Sequence, residues 1–143
     1  MVRTDRVVNC CFESIVNTKR DHEPLWTPPL LDNVLRHIFN SFSIVYADFN
    51  SQEYGPYRER GIGAFVRFDQ KTIFFDRHLP SHEEDRTWAH EILSIYYYHM
   101  LGVIRHDDEV EREARLLCQN DGCLSVLRHY RRLVQARGPK SIL

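Results

Sequence analysis

Apolar residues recur at helical spacing from Leu30 onward. Leu30, Leu31, Val34, Leu35, Ile38 and Phe39 share one face of a 3.6-residue repeat. Pro28 and Pro29, directly before them, suit a first helical turn, where a missing N–H loses no partner. The pattern therefore predicts a helix at the end of the proline-bearing segment "HEPLWTPPLL". "SIVYADF" is rich in β-formers and reads as a strand ending in the polar turn stretch "NSQEYGPYRERG". "GAFVRF" and "TIFFD" flank the short break "DQK", which predicts a hairpin.

"LPSHEED" supplies a helix start, with Ser81 as N-cap and Glu84 three residues later as in a capping box. The spacing predicts a helix from about Ser81 to Met100, ended near Gly102. A further helix is expected from Asp107 ("DDEVEREARLLCQ") to "NDG", and a last one over "CLSVLRHYRRLVQAR". The opening twenty residues alternate weakly ("RVVNCCFESIV") and fit a strand or a short helix. The order helix, strand, hairpin, helix, helix, helix predicts one α+β domain over residues 1–143, a small sheet with helices packed on it.

A chain of 143 residues can bury a core without staples. A formal net charge of -1 leaves no whole-molecule signature of nucleic-acid binding, so no direct nucleic-acid contact is expected. The acidic run "HDDEVERE" followed by the basic "RHYRRLVQARGPK" is read as helix-dipole complementarity. Cys10, Cys11, Cys118 and Cys123 make neither a disulfide scaffold nor a zinc knuckle, since no two are separated by two residues. The N-terminal apolar run is too short for a signal peptide. No window approaches the roughly 18 apolar residues of a membrane span, so a cytoplasmic, reduced protein without membrane contact is expected.

The stretch "WAHEILSIYYYHM" carries the candidate chemistry. Zinc on a helix needs ligands one turn apart, because four residues advance about 400° and return to the same side. His90 supplies a first ligand, and Glu91 sits where a base for a metal-bound water belongs. Ser94 stands where the second histidine is expected, and a serine hydroxyl is a poor zinc ligand. His99, nine residues on, faces roughly 180° away and, unless the helix breaks between them, cannot share an ion with His90. Tyr97 lies on the His90 face but about 10 Å along the axis.

The ordered pieces "GAFVRFDQKTIFFD", "RTWAHEILS" and "EREAR" resemble the ImmA/IrrE family of zincin-like metallopeptidases over about residues 30–120. The resemblance implies a zincin-like domain, with the hairpin packed against an active-site helix. It carries the first zinc ligand onto His90, the general base onto Glu91 and the acidic third ligand onto Glu111, with Glu113 as the alternative register. Ser94 departs from the motif, as does "RLLCQNDGCLSVLRHY" from the family's usual continuation. Zinc is therefore expected to bind weakly or be absent, and histidine at position 94 to raise zinc affinity by orders of magnitude. Family members act on helix-turn-helix repressors of phage, mobile elements and stress responses. The implied function is a regulatory domain that binds a repressor-like protein, with peptidase activity lost or very weak. Two alternatives stay open: an active peptidase whose vacant ligand place is taken by His78, His82, Cys118 or a second water, and an interaction module in which His90 and Glu91 are merely hydrogen-bonded.

Overall fold

The hydroxyl of Thr27 accepts a hydrogen bond from the Leu30 amide at 3.3 Å and caps the first helix, α1 (Pro28–Ser41). The computed structural model describes residues 26–137. The weakly alternating N-terminal run, Cys10 and Cys11 lie outside the described residues. In α1 the helical stripe is the buried one: Leu31, Val34, Leu35 and Ile38 face the core.

The sheet has three strands, β1 (Ser43–Ala47), β2 (Ala64–Arg67) and β3 (Thr72–Asp76), in the order β1-β3-β2. β2 and β3 form the expected antiparallel hairpin, with Phe65 opposite Phe74. Its turn passes through a 3-10 segment, Phe68–Gln70, and Lys71 in the left-handed region at φ 49°. β1 adds parallel to β3, with Ile44 opposite Ile73. One face of the sheet carries Ile44, Ile73 and Phe75 into the core. On the other face Tyr57 stacks on Phe65 at 4.2 Å and Phe65 on Phe74 at 4.9 Å. Tyr57 belongs to a short helix, α2 (Gly55–Glu59), inside the stretch read as a polar turn. Aromatic cover for the outer face of the sheet is the physical reason that stretch is ordered.

Three helices complete the fold: α3 (Ser81–Ile95), α4 (Asp107–Cys118) and α5 (Asp121–Ala136). Trp88 of α3 lies flat on Phe75 at 4.6 Å and meets Phe39 edge-on, joining sheet, α1 and α3. The start of α3 differs from the expected capping box. Pro80 holds the extended N-cap position at φ -62° and ψ 142°, Ser81 is already helical, and no side chain caps the turn. The end differs as well, because residues Tyr96–Met100 widen into a π turn in which the Leu101 amide reaches back to the Tyr96 carbonyl at 3.0 Å. Gly102 then takes φ 69°, ending the run at the expected glycine.

α5 begins two residues earlier than its apolar pattern suggested. Asn120 accepts from the Cys123 amide at 3.0 Å, and Gly122 lets the helix pass Pro28, whose Cγ would lie 2.7 Å from an added Cβ. The basic run of α5 also has a more specific partner than a helix dipole: Arg128 and Arg131 both bind Asp85 of α3. No described helix is long and apolar enough to cross a membrane.

Candidate functional site

An open cleft of about 380 Å³ lies between the start of α3, α4 and the chain that leads into β2. Gly61 at φ 74° turns that chain, after the Gly61 amide has closed onto the Arg58 carbonyl at 3.0 Å. Gly63 and Ala64 then run along one wall, while Arg86, His90 and Glu91 line another and Glu111 reaches in from α4. Three of the sequence candidates, His90, Glu91 and Glu111, are thus brought together in one cleft.

The contacts define their chemistry. His90 Nδ1 lies 3.0 Å from Glu111 Oε1. Arg86 Nη1 donates to Glu111 Oε2 at 2.7 Å, and Arg115 Nε donates to the same oxygen at 3.3 Å. Burial opposes ionisation of Glu111, but the bonds from Arg86 and Arg115, the Arg86 charge and the His90 contact together hold its carboxyl below the ordinary value. Glu91 is in the opposite situation. It is 8% exposed, and no hydrogen bond or ion pair joins it to another described residue. Burial, with the Asp107 charge adding to it, pushes its carboxyl up to about 8, so it carries its proton at neutral pH.

The donor set does not fit a zinc ion. A zinc centre of this kind requires three protein ligands with free lone pairs. The Ser94 hydroxyl donates to the His90 carbonyl at 3.0 Å, bonded back into its own helix. Glu111 Oε2 accepts from both Arg86 and Arg115, and Oε1 meets His90 Nδ1. Among the described residues no group of three His, Cys, Asp or Glu side chains is placed to hold a metal.

The substitute ligands lie elsewhere. His78 pairs with Asp48 at 3.1 Å, and exposed His82 lies 3.6 Å from Glu83. Cys118 is outside the cleft lining, and burial, with the Asp85 charge, raises its thiol to about 11. His99 packs edge-on against Phe42 at 5.2 Å, within the π turn, and does not line the cleft. His106 occupies the N-cap position of α4.

Glu113, the alternative acidic ligand, has a different task. It is 2% exposed and accepts from Trp26 Nε1 at 2.6 Å, the Tyr97 hydroxyl at 2.8 Å and Arg105 Nη1 at 3.0 Å. Arg105 also lies over the Tyr97 ring at 4.5 Å. The register of "EVERE" therefore puts Glu111 in the cleft and Glu113 in a buried polar knot. The sequence reading missed Arg86 and Arg115, although simple spacing marks them: Arg86 is one turn before His90 and Arg115 one turn after Glu111.

No protein-family model, curated protein or solved structure matches this chain.

Proposed function

We propose that this chain is a zincin-like domain of the ImmA/IrrE kind whose cleft holds a segment of a protein partner without hydrolysing it. The observation that carries the reading is the closed His90–Glu111 pair, tied by Arg86 and Arg115, beside a cleft that is itself open. Without a bound ion there is no water of lowered pKa for Glu91 to deprotonate. The wall opposite offers backbone instead. β2 is one of the two edge strands, with no strand beyond it among the described residues, and an extended segment can add to such an edge through main-chain hydrogen bonds.

The partner class, a repressor-like regulatory protein in the cytoplasm, follows from the sequence resemblance. Zinc is weak or absent in this reading.

The test has two arms. Metal analysis of untagged protein, purified without added metal, is expected to find far less than one zinc per chain. Peptides selected for binding from a display library are expected to stay intact by mass spectrometry and to lose binding when Ile62→Asp or Arg58→Glu alters the cleft wall. Stoichiometric zinc removed by His90→Ala, together with cleavage of those peptides, would replace this reading with an active peptidase. Undiminished binding in both cleft variants would remove the cleft from the reading.

A further inference from the structure

We infer that Arg86 is the resident cation of this cleft, its guanidinium taking the place beside His90 and Glu111 that a divalent ion would need. The inference rests on the metal-free reading above and names what replaces the ion.

Residues 86, 90 and 94 follow one another at four-residue steps, so they form one stripe along α3. The sequence motif would place ligands at the second and third of these positions. Here the stripe reads Arg, His, Ser: the ligand after His90 is gone and a cation stands one turn ahead of it. Arg86 Nη1 binds the acid of α4 directly, at 2.7 Å from Glu111 Oε2. A guanidinium stays charged at every accessible pH and presents several donors in one plane, which suits it to a carboxylate. It thereby satisfies Glu111 as a metal would, with no dependence on metal supply.

The arrangement also excludes an incoming ion. Zinc must approach a carboxylate oxygen to about 2.0–2.2 Å, closer than either guanidinium now lies. It would have to displace Arg86 and then remain near its positive charge. Repulsion between a dication and a guanidinium at such range is stronger than between two unit charges. Ser94→His would therefore supply a third ligand to a site whose cation position is already filled. The gain in zinc affinity expected from that substitution requires the removal of Arg86 as well.

Arg115 is the lesser cation. It approaches the same oxygen at 3.3 Å, and its side chain is 65% exposed against 39% for Arg86. Its release should open the site less.

The experiment compares untagged wild type, Ser94→His, and Ser94→His combined in turn with Arg86→Gln, Arg86→Lys and Arg115→Gln. Zinc affinity is read by titration calorimetry, and cobalt(II) spectra report tetrahedral coordination. The Arg86→Gln double variant is expected to bind at least about 100-fold more tightly than Ser94→His alone, a margin at the top of that for lost outer-shell partners. The Arg86→Lys double variant keeps the charge and should stay with Ser94→His. The Arg115→Gln double variant should gain less.

Equal affinity of Ser94→His and the Arg86→Gln double variant overturns the assignment, whether both bind or neither does. If the Arg86→Gln variant does not fold, the Arg115→Gln double variant decides. A gain of 100-fold there overturns the assignment to Arg86, and a small gain upholds it. Stoichiometric zinc on the wild type would instead sink the metal-free reading itself, so the two failures are distinguishable.

Discussion

Glu91→Gln should stabilise the protein, and do so only above mildly acidic pH. The carboxyl is raised from an ordinary 4.5 to about 8 by burial and the Asp107 charge. Below pH 4.5 Glu91 is protonated in folded and unfolded chains alike and contributes nothing to pH dependence. Between pH 4.5 and 8 the unfolded chain releases the proton while the folded chain keeps it, so stability falls as pH rises. Each pH step of one corresponds to about 1.4 kcal/mol, so the loss across this window amounts to about 5 kcal/mol. Glutamine keeps the shape and has no proton to lose. Urea unfolding of both proteins at intervals from pH 4.5 to 9 should give curves that coincide at the acid end. The variant should then lead by a margin that widens up to pH 8 and is constant above it. A margin that does not change with pH, or a wild type that grows more stable between pH 5 and 8, would refute the burial argument.

Three further outcomes follow from other parts of the molecule. Glu113→Ala should lower stability by about 2–4 kcal/mol, because it removes the buried acceptor shared by the Trp26 and Tyr97 donors, while Arg105 falls back on its pair with Glu109; urea unfolding followed by tryptophan fluorescence measures it. Asp85→Asn should cost about 1.5 kcal/mol at pH 7, since burial resists the Asp85 charge but bonds from Arg128 and Arg131 outweigh it and hold the carboxyl below 3.8. That contribution is present above pH 3.8 and is lost as pH falls through the lowered folded value, so the two proteins should converge in acid; a gap that persists there would refute the ion-pair account. Cys118, with its thiol raised to about 11, should resist iodoacetamide at pH 7.5 in the folded protein and react on unfolding, as read by peptide mass mapping; labelling at the rate of an exposed thiol would contradict its burial.

Local chemistry made the α1 start and the β2–β3 hairpin readable. Pro28 and Pro29 mark a first turn, and two β-rich runs around three polar residues have few alternatives. The parallel β1–β3 pairing was not readable, because it joins residues 43–47 to residues 72–76 and leaves no mark on either segment. The Ser81 cap failed for a related reason. Pro80 is already extended and brings the chain into helical geometry one residue early, so the serine hydroxyl is no longer at the cap position. At the cleft, His90, Glu91 and Glu111 were legible from motif order. Their meaning was not, since it depends on guanidinium groups from two helices converging on one carboxylate. The choice between Glu111 and Glu113 likewise needed the positions of Trp26 and Tyr97, far away in sequence.

The hydrogen bonds that tie the two ends of the described chain together also order events in time. Trp26 meets Glu113 across 87 residues, and Asp32 meets Tyr130 across 98. At roughly 5–20 residues per second, a ribosome needs on the order of 5–20 seconds to deliver the second partner of the longer bond after the first. Throughout that interval Leu31, Val34, Leu35 and Ile38 of α1 await the α5 surface that helps to cover them. The nascent chain therefore carries an incompletely covered apolar stripe until residues 121–136 have followed, and its early life depends on what shields that stripe in the meantime.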